Sequence, residues 1–290
     1  LRKALHAGIA VALAAVVLPV APAAMALPAY QSYVAIGDSY TAGPMIPEQR
    51  TDPADCHRSA SNYPSLLADL LVVRTVTDVS CSGADTTNLT QPQELPEGSH
   101  PPQLDALHPE TDLVTVGLGG NDYNLFRRII ETCPVLRSQD PAGAPCREYF
   151  TVEGVDTLRD IITQTEGSLT EGLRRVHERA PKAKVLAIGY PRVVPPSGFC
   201  GSLLPFADGD YAWLAGLEEA LNGAISNAAA ATESSYVDVY GPSLGHDACA
   251  QGGAAWINGD QHREDAARYH PMRTGMEGVA GVIFTQLLKG

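Results

Sequence analysis

The sequence is short of positive charge. Lysine and arginine number 20 against 33 aspartate and glutamate, a formal net charge of −13. That balance argues against a nucleic-acid partner and against electrostatic docking on anionic lipid. Metal-binding motifs are missing as well. There is no Cys-x-x-Cys pair and no His-Glu-x-x-His, so His246, Cys249, His262 and His270 crowd together late in the chain without the spacing of a zinc site. No metal is expected. Past the first 26 residues no apolar run is long enough to span a bilayer, so no stable membrane anchor is expected either. Internal repeats, low-complexity tracts and Pro/Gly linkers are also lacking. Residues 27–290 therefore read as one domain of the size of a large α/β unit.

What is present begins with an address. Arg2 and Lys3 form a basic start, Ala4 to Val20 is apolar, and Ala24-Met25-Ala26 is a small-x-small cleavage site. Residues 1–26 read as a secretory signal peptide cut after Ala26, which makes the protein a secreted one. Pro19 and Pro22 break the apolar run and speak against an anchor. All six cysteines, Cys56, Cys81, Cys133, Cys146, Cys200 and Cys249, follow this segment. An even number in an exported chain favours disulfides, and pairing between sequence neighbours is expected: Cys56–Cys81, Cys133–Cys146 and Cys200–Cys249.

Five short apolar, β-rich runs stand out: Tyr33–Ile36, Thr75–Val79, Leu113–Val116, Lys184–Ile188 and Tyr236–Val239. Helical patterns at Tyr63–Leu71, Tyr123–Ile130, Val155–Arg179 and Asp210–Thr232 alternate with them, and a last helix is expected over Pro271–Leu288. Strands alternating with helices predict an α/β fold, a three-layer α/β/α sandwich on a parallel sheet. The proline-rich stretch Gln91–Pro109 and the stretch Cys133–Cys146 are expected to be surface loops. The first three strands end in polar, small-residue turns, Gly37-Asp38-Ser39, Ser80-Cys81-Ser82-Gly83-Ala84 and Gly117-Leu118-Gly119-Gly120-Asn121-Asp122. In a flavodoxin-like five-stranded sheet of order 2-1-3-4-5 these exits meet where open α/β sheets bind ligands.

Each exit is an ordinary turn when taken alone. Together they assemble a chemistry. Ser39, just past a buried strand, suits a nucleophile. His270 precedes Pro271 at a helix start, where it is held extended and can be aimed over the sheet edge as a base. The Ser39 N–H, the Gly83 N–H and the Asn121 amide can serve as an oxyanion hole.

The motifs Gly37-Asp38-Ser39-Tyr40-Thr41-Ala42-Gly43, Cys81-Ser82-Gly83-Ala84, Gly119-Gly120-Asn121-Asp122 and His270-Pro271 resemble, in order, those of the SGNH (GDSL) hydrolase family. Pro101-Pro102-Gln103-Leu104, Ile188-Gly189-Tyr190-Pro191 and Gly245-His246-Asp247-Ala248-Cys249 extend the likeness to its exported actinobacterial lipase and esterase branch. The resemblance implies a serine ester hydrolase needing no cofactor, in which Ser39 and His270 act through an acyl-enzyme. Its partner would be a small-molecule or lipid ester, and the protein is expected to be a monomer. Short- to medium-chain acyl esters are the expected substrates. A carbohydrate esterase of the same fold is the alternative, with Tyr211, Trp213 and Trp256 available for sugar stacking. A binding module that has lost catalysis is the less favoured third reading.

One position departs from the family pattern. Many members carry aspartate three residues before the histidine, and here Ala267 stands there. The imidazole then needs another acceptor. The backbone carbonyl of Ala267 is the expected orienting group, with Asp265 as the alternative.

Overall fold

Alternating side chains along each core strand serve two different helical layers. The structure is a computed structural model and describes residues 30–289; the signal-peptide reading of residues 1–26 lies outside them. The sheet strands are β1 (Ser32–Gly37), β2 (Thr75–Asp78), β3 (Leu113–Gly117), β4 (Lys184–Ile188) and β5 (Ser235–Val237). All pair in parallel, in the order β2-β1-β3-β4-β5, the expected flavodoxin-like arrangement. The helices are α1 (Ser39–Ala42), α2 (Tyr63–Leu71), α3 (Leu125–Arg137), α4 (Pro145–Phe150), α5 (Thr157–Arg179), α6 (Tyr211–Ala231) and α7 (Arg273–Leu288).

Tyr33 and Ala35 of β1 and Leu186 and Ile188 of β4 pack with α2 and α7, whereas Val34 and Ile36 and Val185 and Ala187 pack with α5 and α6. Period two along a strand sends successive side chains to opposite faces. Burial on both faces is why these runs read as continuous apolar segments. Each leucine or isoleucine fully buried in these layers contributes about 1.5–3 kcal/mol. Capping sets the helix starts: Asn62 accepts from the Ser65 N–H at 3.1 Å ahead of α2, and Asp156 accepts from Leu158 and Arg159 ahead of α5.

Three expectations about elements need correction. The stretch Cys133–Cys146 is a loop only over residues 138–144: α3 runs through Pro134 to Arg137, and α4 starts at Pro145. Pro134 lies inside α3 and, having no N–H, makes no bond back to the Ile130 carbonyl. Helix α3 starts at Leu125 rather than Tyr123, because Tyr123 and Asn124 both take positive φ. Helix α7 starts at Arg273 rather than Pro271. Pro271 bridges to Ile257, and the Met272 N–H is drawn to the Trp256 carbonyl. The three disulfides are Cys56–Cys81, Cys133–Cys146 and Cys200–Cys249.

The stretch Gln91–Pro109 is also more ordered than a loop. It holds an antiparallel hairpin (Gln93–Leu95 with Gly98–His100) and a helical turn at Gln103–Ala106. That turn buries Gln103, whose amide clamps the last peptide of β1. The Gly37 N–H donates to Gln103 Oε1 at 2.8 Å, and Gln103 Nε2 donates to the Gly37 carbonyl at 3.0 Å. Strand β2 pairs only as far as Ala35; past it the Cys81 N–H still reaches the Gly37 carbonyl at 3.0 Å, and Gln103 supplies the acceptor that the Gly37 N–H needs. Gly37 itself must be glycine, since a Cβ there would lie 2.1 Å from Thr41 Oγ1. Gln103→Leu orphans the buried Gly37 N–H and is expected to cost about 1–3 kcal/mol, read as a lowered midpoint in urea unfolding at an unchanged slope.

Candidate active site

Ser39 is the first residue of α1, and among the described residues its N–H finds no acceptor. Asp38 caps the helix: its Oδ1 accepts from the Tyr40 N–H at 2.8 Å and its Oδ2 from the Tyr190 hydroxyl at 2.6 Å. The same Tyr190 oxygen accepts from the Gly120 N–H at 2.9 Å. Tyr190 thus bolts the turn carrying Ser39 to the turn carrying Asn121. Burial pushes the Asp38 carboxyl up to about 7 against the pull of these donors.

The turns after β2 and β3 are tied to one another as well. Thr86 donates through its N–H and its hydroxyl to Asp122, and Asn121 Nδ2 donates to the Ala84 carbonyl at 3.0 Å. An amide nitrogen carries two hydrogens, so Asn121 keeps one free for a ligand. Gly83 sits at φ +81°, which only glycine adopts cheaply, and its N–H has no acceptor among the described residues. Next to it, the Ser82 N–H donates to the Cys56 carbonyl, and the Cys56–Cys81 disulfide fixes the same turn.

His270 completes the cluster. Its Nε2 lies 2.9 Å from Ser39 Oγ, and its Nδ1 lies 2.6 Å from the carbonyl oxygen of Arg268. A carbonyl can only accept, so Nδ1 carries the proton and Nε2 is the acceptor for the serine hydroxyl. The orienting group is therefore neither the Ala267 carbonyl nor Asp265. Tyr269 takes φ +60°, and this turn brings the Arg268 carbonyl back to the ring. The Ala267 carbonyl is already used by the His270 N–H and by the amide of Asn258. Asp265 is exposed and forms a two-point ion pair with Arg263, which holds its carboxyl below the usual range.

Sequence reasoning missed the organiser of this loop. Asn258 is buried, and the two hydrogens of its amide nitrogen are shared among the carbonyls of Gln261, Ala266 and Ala267. Its own N–H donates to the His270 carbonyl at 2.9 Å. A lone asparagine in a loop carries no local signal for such a role. Tyr40 adds a brace from the other side, donating its hydroxyl to the Tyr269 carbonyl at 2.6 Å.

Beside Ser39 and Asn121 opens a cleft walled by apolar side chains of α3 and α6, among them Phe126, Ile129, Ile130, Leu214 and Leu217. Its enclosed part measures about 90 Å³ and opens outward to solvent. Tyr211 and Trp213 are buried and are not sugar platforms: the Tyr211 hydroxyl donates to the Leu204 carbonyl, and the Trp213 indole donates to Asp156. Trp256 is half-buried, stacks against His246 and lies apart from the cleft beside Ser39. Among the described residues no group of His, Cys, Asp and Glu is placed to hold a metal ion.

Burial lowers the His270 pKa from its ordinary value near 6.5, and the Arg268 carbonyl opposes this only in part. A base works in its neutral form, so kcat/KM is expected to rise with pH through an apparent pKa below about 6.5 and then level off. Asp38→Asn keeps the shape of the Asp38 side chain and removes its titration. The acid limb should survive in that variant, and its loss would assign the limb to Asp38 instead.

A hydroxyl, an imidazole of fixed tautomer and free N–H donors, gathered over the carboxyl edge of a parallel sheet beside an apolar cleft, define a serine-type ester hydrolase. The comparisons agree with this class and refine it. The chain belongs to the GDSL-like lipase/acylhydrolase family, whose model matches residues 35–277. It is 39% identical to Lipase 2 of Streptomyces coelicolor over 254 residues, 86% of this chain and 83% of that protein. To the esterase of Streptomyces scabiei it is 35% identical, covering 74% and 72% of the two chains. The crystal structure of phospholipase A1 from Streptomyces albidoflavus superposes with a TM-score of 0.73 at 28% identity, covering 89% of this chain and 99% of that one. The protein is a carboxylic ester hydrolase.

Proposed function

We propose that the protein is a secreted hydrolase of acyl esters that works through an acyl-enzyme on Ser39. The observation that carries the reading is the 2.9 Å approach of His270 Nε2 to Ser39 Oγ, with Nδ1 held by the Arg268 carbonyl. Ser39 Oγ attacks the ester carbonyl while Nε2 takes its proton. The negative oxygen that forms is met by the N–H groups of Ser39 and Gly83 and by the free hydrogen of Asn121. The imidazolium then returns the proton to the leaving alcohol. Water, activated by the same nitrogen, attacks the acyl-enzyme and releases the acid. No step calls on a metal or an organic cofactor. The apolar cleft supports an acyl chain as the bound group, and short- to medium-chain esters, including those of phospholipids and glycerides, are the substrates it suits. Secretion is supported by the composition of residues 1–26 and by three disulfides.

The test is an ester panel that varies acyl length and head group, run with Ser39→Ala alongside, together with labelling by a serine-directed organophosphate. Activity and label should both vanish in Ser39→Ala. Undiminished turnover in that variant would remove Ser39 from the mechanism.

A further inference from the structure

The Gly83 N–H belongs to the same peptide group as the Ser82 carbonyl. In a trans peptide the two point in opposite directions, so whatever fixes one aims the other. The turn Cys81-Ser82-Gly83-Ala84 is closed by the Ala84 N–H, which donates to the Cys81 carbonyl at 3.0 Å. Gly83 has φ +81° and Ser82 has no positive φ, so the turn is of type II with Ser82–Gly83 as its central peptide. Types I and II differ chiefly in the two torsions that flank this peptide, each by about 150–170°, so a flip of the peptide converts one into the other. Glycine at the third position accepts both forms. After a flip, the Ser82 carbonyl oxygen would stand where the Gly83 N–H had stood, and a developing oxyanion would meet an acceptor.

The peptide groups around it are pinned by the backbone and by Asn121. The Ser82 N–H donates to the Cys56 carbonyl at 3.0 Å, and Asn121 Nδ2 holds the Ala84 carbonyl just past the turn. The central peptide has one hold among the described residues: Gln93 Nε2 donates to the Ser82 carbonyl at 2.9 Å. A carbonyl only accepts, so the nitrogen end of the Gln93 amide must face the turn. Gln93 opens the hairpin with Gly98–His100, which is itself tied down: His100 Nε2 donates to the Val79 carbonyl at 3.0 Å, and the Glu97 N–H donates to Asp55 at 2.7 Å. The other end of the amide is idle. Gln93 Oε1 is shut off from water and has no partner. An amide placed for stability alone would match both ends, and this one matches only the end that faces the turn.

We propose that Gln93 is a positioning residue for ester hydrolysis: it holds the Ser82–Gly83 peptide in the orientation that presents the Gly83 N–H to the reacting oxygen. It acts through that peptide and not on the substrate. The inference rests on the reading in which Ser39 is acylated and the Gly83 N–H meets the oxyanion.

The test uses two variants. Gln93→Met keeps the reach of the side chain and removes the donor. Gln93→Glu keeps its shape and, once ionised, offers only acceptors. Each is assayed with a p-nitrophenyl ester for kcat and KM, with an alkylboronic acid, and with the ether analogue of the ester, which has no carbonyl and competes for the cleft. The boronic acid bonds through boron to Ser39 Oγ, whose proton passes to His270, and one boron oxygen takes the place of the oxyanion. In both variants kcat should fall by roughly five- to fiftyfold, the equilibrium weight of one unmatched carbonyl. The Ki of the boronic acid should rise by a similar factor. KM and the Ki of the ether should stay within about twofold of the wild type, because the interaction lost belongs to the transition state.

An unchanged kcat with a lowered urea midpoint would make Gln93 a brace for the hairpin and overturn the proposal. A fall in kcat without loss of boronic acid affinity would overturn it too, as would a parallel rise in the Ki of the ether, the mark of a deformed cleft. If Gln93→Met does not fold, Gln93→Glu decides in the same way. Failure of the Ser39 reading would look different, as activity that survives Ser39→Ala.

Discussion

His270→Ala is expected to lower kcat by about 10⁴- to 10⁶-fold, whereas Asp265→Asn should change it by less than about tenfold. The contrast follows from where the far ring nitrogen finds its acceptor. An aspartate that sets the tautomer of a catalytic histidine costs about 10⁴-fold when it becomes asparagine. Here Nδ1 donates to the Arg268 carbonyl, and Asp265 is an exposed ion-pair partner of Arg263. Exposed pairs of that kind contribute little, about 0–1 kcal/mol. Circular dichroism should show both variants folded. A drop near 10⁴-fold in Asp265→Asn would mean that the loop rearranges to bring a carboxylate to the ring.

The second large effect is expected at Asn121. Replacing it with alanine removes one donor to the developing oxyanion and should lower kcat by about 10²- to 10³-fold. KM should move little, because the charge it meets exists only in the transition state. The same amide also holds the Ala84 carbonyl, so a modest loss of stability should accompany the loss of rate. A raised KM with kcat unchanged would recast Asn121 as a residue that binds substrate. A loss of stability alone would make it a brace between two turns.

How much of this site could be read from the sequence follows the range of the forces involved. Ser39 and the flanking β1 are local: an apolar run, a glycine and a serine suffice to place a hydroxyl at a strand end. The strand order could be anticipated because alternation of strands with helices leaves few parallel topologies. Arg268 was not legible, since nothing in Ala267-Arg268-Tyr269-His270 announces that a tyrosine will take positive φ. Gln103 stood inside a motif, yet its role needs a partner 66 residues away in sequence. Glu218, which accepts from the Val193 and Val194 N–H groups, had a signal that was passed over: a charged residue at a position where helical spacing called for a leucine. Helix ends were misjudged where a neighbouring backbone claimed the first amides, as Trp256 does at Met272.

The third member of the Ser39–His270 arrangement is a main-chain oxygen, and this changes how the site can fail. A carboxylate can be deleted by a single codon change. The Arg268 carbonyl cannot, because every residue type supplies one. Position 268 is therefore free to drift in evolution or in a directed library without touching the tautomer of His270. The vulnerability passes to residues that shape the loop. Asn258 gathers three of its carbonyls, and Tyr40 reaches across to a fourth. A mutational scan scored on activity alone should find the orienting function at those two positions and not at residue 268.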